Sequence, residues 1–411
     1  MLSSKTIEIV KSTAPVLEVY GEQITSRFYQ ILFQNHPELL NIFNRTHQHE
    51  KSQPKALAQA VYAAAANIDQ LHKIIPAVQK IAHKHRSIGV LPEQYPIVGK
   101  HLLMAIKDVL GDAATDEIIN AWAETYQVLA DVFIQAEAKL YHTAKSQPGG
   151  WEGYRDFIVV KKVEESKVIT SFYLKPADGK ELAPFKPGQY ISVKIEKEDE
   201  EYTQIRQYSL SDAPGKDYYR ISVKREDEIQ GKPAGQVSNY LHQEVQVGSI
   251  LPISAPAGDF YLDEEKETPV VLISGGVGLT PMMSMLNTII EKQPARKVTF
   301  IHATINSSYH ALKEEMKRAN QYENVDCYIC YERPTAEDRL TQNFDHQGYI
   351  DVNWLKFILP TTRTDFYFCG PLPFMQAVLD ALTELGVAEE NIHYEFFGPS
   401  GKLQPSQLIY G

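Results

Sequence analysis

Residues 144–150 read Ala-Lys-Ser-Gln-Pro-Gly-Gly, and the periodicity of the chain changes across them. The Pro-Gly-Gly ending predicts a linker. Upstream, the apolar spacing is helical. Ile24, Phe28, Ile31 and Leu32 share one helix face, as do Leu57, Val61, Ala64 and Ile68. Ile74, Val78, Ile81 and His85 repeat the spacing, and Trp122, Tyr126, Leu129 and Phe133 form another stripe. Breaks fall at Asn35-His36-Pro37, Leu91-Pro92 and Gly111-Asp112. An all-α domain is expected over 1–143. Downstream of Trp151 the period becomes two. Residues 168–174, 189–195 and 218–224 read as strands of an antiparallel sheet, and the glycine and proline turns between them fit a β-barrel over 151–267. From 268 to 411 strands alternate with helices. Residues 269–274, 297–303 and 365–369 read as buried strands and Met282 onward as helix, which predicts an α/β domain with a parallel sheet.

A chain of 411 residues is too long for one ordinary core, so several domains are expected on length alone. The formal net charge of -11 argues against a general nucleic-acid binder, while leaving room for a local basic pocket for a phosphorylated cofactor. Cys327, Cys330 and Cys369 are the only cysteines, which is no disulfide framework and fits a reducing cytoplasm. Residues 1–10 mix polar and apolar side chains, with Lys5 and Glu8 among them, and lack the apolar core of a signal peptide. No window approaches the roughly 20 apolar residues of a membrane span. The most apolar run, 269–283, is broken by glycines and reads as a buried strand and turn. A monomer without an integral membrane segment is expected.

His85 lies on an apolar helical stripe. Such a histidine is either a core residue satisfied by a hydrogen bond or a metal ligand, and the stripe alone leaves both open. Glu137, four residues after Phe133, falls beside the apolar face of the last long helix. A carboxylate there needs a partner. The second ring nitrogen of a ligating histidine is a good one, because that bond fixes the tautomer and raises ligand basicity. Tyr95 follows His85 by ten residues, whereas His83 points elsewhere on its helix. The stretches Phe28-Tyr29, Pro37-Glu38-Leu39, Ile42-Phe43-Asn44, Gln53, Leu57, Lys80-Ile-Ala-His-Lys-His85 and Pro92-Glu-Gln-Tyr95 resemble the globin domain of the flavohaemoglobins. The resemblance implies that His85 is the proximal haem iron ligand, supported by Tyr95 and Glu137. It also implies that Tyr29 and Gln53 lie over the distal face, that Tyr29 donates to bound oxygen, that Leu57 crowds the ligand and that Phe43 stacks on the porphyrin. Taken singly, Tyr29 and Phe43 also read as aromatic core, and Gln53 as an exposed helix start.

Arg206-Gln-Tyr-Ser209 follows one strand-like run and precedes another. Arginine offers a fork for a pyrophosphate, tyrosine a flat face for a flavin and serine a hydrogen-bonding hydroxyl. Pro187-Gly-Gln-Tyr190 precedes it. Gly235-Gln-Val-Ser238 follows, with backbone amides suited to phosphate at a helix start. In this order the three motifs resemble the FAD-binding barrel of the ferredoxin-reductase-like family. The resemblance implies FAD contacts from Tyr190, Arg206, Gln207, Tyr208, Ser209, Gly235, Gln236, Val237 and Ser238. Gly275-Gly-Val-Gly-Leu-Thr-Pro281 follows a buried strand and opens a helix, though it lacks the last glycine of the usual dinucleotide fingerprint. That family has this shorter turn, followed later by Cys-Gly-Pro, here Cys369-Gly370-Pro371. The resemblance implies NAD(P) contacts from Gly276, Val277, Gly278, Leu279, Thr280, Pro281, Cys369, Gly370 and Pro371, with Cys369 beside the nicotinamide. On its own Cys369 reads equally as a small buried residue.

Cys327-Tyr-Ile-Cys330 reads as strand, where positions three apart face opposite ways, so no disulfide or redox role is assigned. Glu395-Phe-Phe-Gly-Pro399 resembles the C-terminal aromatic segment of the flavohaemoglobins, although position 396 commonly carries cysteine there. Phe397 would stack by the flavin. Lys84 and Glu395 would tune redox potential between flavin and haem. The resemblance covers 1–399; the tail 400–411 has no recognised counterpart.

The resemblance therefore implies an NAD(P)H-dependent nitric oxide dioxygenase. A hydride would pass from NAD(P)H to FAD and electrons singly to haem b, and nitric oxide and dioxygen would become nitrate, detoxifying nitric oxide. Two other readings remain: a haem-based gas or redox sensor, and a flavin or ferric reductase whose globin stores oxygen. A sensor needs an output module, and only a reductase is visible. After the strand near Ala303, Thr304-Ile-Asn-Ser-Ser shows no nearby arginine for a 2′-phosphate, which favours NADH without excluding NADPH.

Overall fold

The computed structural model describes residues 2–43, 52–197, 200–229, 231, 233–360, 363–398 and 403. Asn44, Pro399 and all of the tail except Leu403 lie outside the described residues. The chain divides into two compact units. One holds 1–154 with 194–206, the other 155–193 with 207–411.

The first unit is built on helices α1 (Ser4–Asn35), α2 (Ser52–Ala66), α3 (Ile75–Ile88), α4 (Gln94–Leu110) and α5 (Asp116–Ser146). Ser3 and Thr115 cap α1 and α5 by accepting from the amides of Thr6 and Ile118. α1 stops just short of Pro37, because the residue before a proline is driven out of the helical region. Ile24, Phe28, Ile31, Leu32, Leu102, Ile106 and Trp122 meet in its core. α5 continues through Ala144-Lys-Ser146, so the expected linker begins later. The extended backbone at Gln147 (φ -71°, ψ 155°), imposed by Pro148, ends the helix.

The first sheet contains β1 (Tyr154–Glu164), β2 (Ile169–Pro176), β3 (Tyr190–Ile195), β4 (Gln204–Ser209), β5 (Tyr219–Lys224) and β6 (Ile250–Ser254), in the order β4-β3-β6-β1-β2-β5. The β1–β2, β2–β5 and β3–β6 pairs are antiparallel. A Leu210–Ile221 bridge and the Ser211 amide to Arg220 carbonyl bond (2.8 Å) join the two ends of this order, which closes the sheet as a barrel. Arg206–Ser209 occupy the second half of β4 rather than a gap between strands. Helix α6 (Gln236–Gln243) starts directly after Gly235, as the motif there predicted.

The second sheet is wholly parallel. Its strands β7 (Val270–Gly275), β8 (Val298–Thr304), β9 (Val325–Tyr331), β10 (His346–Gln347), β11 (Asp365–Cys369) and β12 (Ile392–Glu395) lie in the order β10-β9-β8-β7-β11-β12. Helices α7 (Leu279–Lys292), α8 (Lys313–Ala319), α9 (Ala336–Thr341), α10 (Val352–Ile358) and α11 (Leu372–Glu384) connect them. Leu272 and Phe300 pack on one face with Met282, Leu286, Ile289 and Met316, and Ile273, Ile301 and Phe368 on the other with Leu355, Met375, Val378 and Leu382. Burial on both faces accounts for the unbroken apolar runs of these strands. Cys327 packs in the first cluster and Cys330 in the second, so they face opposite ways, and both are free thiols. Among the described residues no helix is long and apolar enough to cross a membrane.

Candidate functional site

His85 sits in the last turn of α3, which ends at Gly89 in a left-handed conformation (φ +87°). The Nδ1 of His85 lies 2.8 Å from Glu137 Oε1 and 3.2 Å from the Tyr95 hydroxyl. Tyr95 donates to the same Oε1 at 2.6 Å. Glu137 is 2% exposed, whereas about a third of the His85 side chain (31%) is exposed. A carboxylate oxygen only accepts here, so Nδ1 is the donor and Nε2 is the ring nitrogen turned away from Glu137. Burial, and then the neighbouring carboxylate, push the Tyr95 phenol well above its ordinary range, so it remains a donor. Tyr126 donates to the Tyr95 carbonyl at 2.6 Å. The Tyr126 ring lies where a Cβ at Gly99 would be, only 2.4 Å away. Gly99 carried no sequence signal, and Tyr126 was read only as part of an apolar stripe.

Tyr29 is 6% exposed and stands among aromatic rings. Phe28, Phe33 and Phe43 have centroids 4.8, 5.7 and 5.7 Å from its own. Gln53 and Leu57 are half-buried, one helical turn apart on α2. Gly21 permits α1 and α2 to approach closely: a Cβ there would meet Ala58 Cβ at 3.3 Å.

In the parallel sheet, β8 and β11 flank β7 on opposite sides. The strand order therefore reverses at β7, and the carboxyl end of the β7–β11 pair is where such sheets place ligands. Gly275-Gly-Val-Gly lies at that end, with Ser274 opposite Cys369, and Cys369 opposite Glu395 of β12. Gly276 has φ +54°, which L side chains rarely adopt, and open space where a Cβ would be. Gly278 is packed against the Cys369 carbonyl, where a Cβ would fall 2.1 Å from the oxygen. The Phe374 ring would lie within 3 Å of a Cβ at Gly275 or Gly370. Cys369 itself is fully buried. The position of the missing final glycine of the usual fingerprint is Pro281, a buried residue in the first turn of α7.

On β4, Arg206 and Tyr208 are half-exposed, two residues apart and hence on one face, while Ser209 is buried. Gln207 donates to Ser192 Oγ at 3.4 Å. Tyr190 pairs with Ala257, and the Cδ1–Cε1 edge of its ring lies 3.0–3.1 Å from where a Cβ at Gly258 (φ +113°) would be, a contact with no sequence signal. The Ser238 hydroxyl donates to Gly235 carbonyl at 3.1 Å and accepts from the Glu226 amide at 3.2 Å, so it shapes the turn that opens α6. Val237 is buried behind it and Gln236 is exposed. Arg333 donates its amide to the Ile305 carbonyl at 2.9 Å. The backbone of an arginine thus lies beside the segment after β8, and its side chain pairs with Glu332 at 3.3 Å.

Family models of known proteins match all three parts: Globin at 26–133, Oxidoreductase FAD-binding domain at 156–261 and Oxidoreductase NAD-binding domain at 272–380. A Flavohemoprotein of Bacillus thuringiensis subsp. konkukian is 59% identical over 405 residues, covering 98% of this chain and 100% of the relative. The chain belongs to the flavohemoprotein family. Another member, from Bacillus subtilis, is 56% identical over 406 residues, covering 99% and 100%. The crystal structure of a flavohemoglobin from Malassezia yamatoensis with bound FAD and heme superposes with a TM-score of 0.83 at 30% identity, covering 97% of this chain and 100% of that one. The FAD/NAD-binding domain of a nitric oxide dioxygenase from Vibrio cholerae covers 60% of this chain, and all of its own length, at 42% identity and a TM-score of 0.55. Membership as a flavohemoprotein brings haem, FAD and a nicotinamide nucleotide as cofactors. Lys84 is half-buried on α3 next to His85, and Glu395 and Phe397 lie at and just beyond the end of β12, each within its own unit.

Proposed function

We propose that this flavohemoprotein is an NAD(P)H-dependent nitric oxide dioxygenase that converts nitric oxide and dioxygen to nitrate. The observation that carries the reading is the His85–Glu137–Tyr95 cluster. A carboxylate hydrogen-bonded to Nδ1 makes Nε2 a strongly electron-donating ligand, which suits oxygen activation better than storage. The residues present fit the implied groups: the Nε2 side of a partly exposed imidazole is turned away from Glu137 and would hold haem, and the turn at Gly276, with no Cβ and open space beside it, suits a dinucleotide. When bound, the nucleotide, flavin and haem supply hydride transfer, electron splitting and oxygen chemistry.

The chain's own contribution is orientation. Glu137 and Tyr95 hold the ligand tautomer, and Tyr29, packed among Phe28, Phe33 and Phe43, would offer its hydroxyl to bound oxygen. Gly276 would let the backbone approach a pyrophosphate, and Gly278 seats the turn against the Cys369 carbonyl, with α7 beginning just behind them. Cys369-Gly370-Pro371 and Glu395 border the nicotinamide end. Arg206, Gln207, Tyr208, Ser209, Tyr190 and the 235–238 turn hold FAD, and Lys84 and Glu395 tune the redox potentials. The similarity of the reductase half to that of the Vibrio cholerae enzyme supports the choice of reaction. The test is to give the purified holoprotein NADH or NADPH in aerated buffer and add nitric oxide. Fast nitric oxide loss with stoichiometric nitrate is expected. A protein that reduces its haem with either nucleotide yet makes no nitrate overturns the reading in favour of a sensor or simple reductase.

A further inference from the structure

Three residues beyond the Arg206–Ser209 motif, Asp212 is 8% exposed and gathers polar groups from several elements. Its backbone carbonyl accepts from Ser284 Oγ at 2.8 Å. Oδ1 accepts from Asn287 Nδ2 at 2.9 Å and from the Ala213 amide at 2.8 Å, and Oδ2 accepts from the Tyr218 hydroxyl at 2.7 Å. Arg220, 2% exposed, approaches Oδ2 to 3.9 Å, donates to Ser211 Oγ at 3.1 Å and grips both carboxylate oxygens of Glu315 on α8. Ser284 and Asn287 are three residues apart on one face of α7, the helix that the glycine turn opens. The segment just after the flavin-motif strand is thus tied to the helix bearing the nucleotide turn through one residue, whose carbonyl takes Ser284 and whose carboxylate takes Asn287. Apolar packing tolerates sliding, whereas this many directional bonds, all satisfied in a buried seam, admit a single register.

We propose that Asp212 is a positioning residue that sets how closely the nicotinamide approaches the flavin, a role that rests on the reductase reading above. The step it serves moves a hydride from the dihydronicotinamide ring to the flavin, leaving oxidised nucleotide and two-electron-reduced flavin. Misplacing reacting groups by about 1 Å costs roughly 100-fold in rate. Asp212 touches neither ring in this account; it acts through β4 and α7.

The test compares wild type, Asp212→Asn and the milder Asn287→Ala as FAD-loaded holoproteins. Stopped-flow absorbance reads flavin reduction by NADH and NADPH, and quenching of flavin fluorescence by saturating NAD+ reads the juxtaposition without turnover. Asp212→Asn should slow flavin reduction about 10- to 100-fold, and Asn287→Ala by less, with nucleotide affinity changed by under about threefold and FAD content kept. NAD+ should quench the variants' flavin less than wild type. Unchanged reduction rate and quenching in a folded variant overturn the proposal, as does a rate loss that only tracks lost FAD or nucleotide affinity. If Asp212→Asn does not fold, Asn287→Ala decides by the same criteria. A wild-type protein whose flavin neither nucleotide reduces would instead sink the reductase reading itself.

Discussion

His85, Tyr95 and Glu137 converge from three helices on one carboxylate oxygen, whereas Gly275, Gly276, Gly278 and Gly370 each lack a Cβ that the Phe374 ring, the Cys369 carbonyl or a positive φ would not tolerate. The helical site is made by groups that are present, and the nucleotide site by groups that are missing. Substitutions should therefore fail differently. In the first, removing atoms deletes a function. In the second, adding a single methyl group does so.

The largest effects should separate the two halves cleanly. His85→Ala should abolish the Soret band of the holoprotein while NADH still reduces the flavin, and His83→Ala should leave the Soret band intact. Gly278→Ala should do the converse. Its Cβ would collide with the Cys369 carbonyl, so the turn must shift. NADH-dependent reduction of an artificial acceptor should fall on the order of 100-fold, equivalent to about 2.7 kcal/mol, with the haem spectrum unchanged. If each change damaged both halves equally, the contrast would be wrong. Next in size is Tyr29→Phe, which keeps the ring and removes the hydroxyl. A hydrogen bond to a charged partner contributes about 1.5–3 kcal/mol, so oxygen release in stopped flow should quicken roughly 10- to 100-fold, with flavin reduction unaffected. Unchanged release would make Tyr29 a packing residue only.

Glu137→Gln is subtler. It keeps the volume and weakens electron donation through His85, so the haem midpoint potential should rise by on the order of 60 mV in spectroelectrochemical titration. A fall or no change would separate the carboxylate from the iron. The smallest effect belongs to Tyr126→Phe, which removes one hydrogen bond to the Tyr95 carbonyl. It should cost about 1 kcal/mol in a denaturant melt of the globin unit and leave the midpoint potential where it was.

The same contrast explains what could be read in the sequence. His85, Tyr95 and Glu137 announce themselves because each is a polar residue at a helical position that packing alone would fill with an apolar one. The glycine turn was legible from its place between a strand and a helix, despite Pro281 where the usual fingerprint has glycine. β1 was not singled out, because its register with β2 shifts between Val159 and Lys161 and the alternation breaks there. The helical period was traceable to about residue 143, but alanine, lysine and serine at 144–146 suit a helix end as well as a linker. Phe374, Gly258 and Asp212 carried no signal, since each matters only through a neighbour distant in sequence. Arg333 is the sharpest case: it lies 28 residues beyond Ile305 and reaches it only because β8 and β9 are parallel neighbours.

The three thiols have a chemical consequence. Cys330 and Cys369 are fully buried and Cys327 is packed against the core. Burial, reinforced by nearby aspartates, pushes Cys327 and Cys330 up to about 12. Thiolates are the species that nitrosating and oxidising agents attack, and a thiol titrating near 12 is ionised at neutral pH in only about one molecule in 100,000. A catalyst proposed to work in nitric oxide and oxygen thus offers those mixtures no ready thiolate at Cys327 or Cys330, and its lifetime in turnover should not depend on a thiol reductant being at hand.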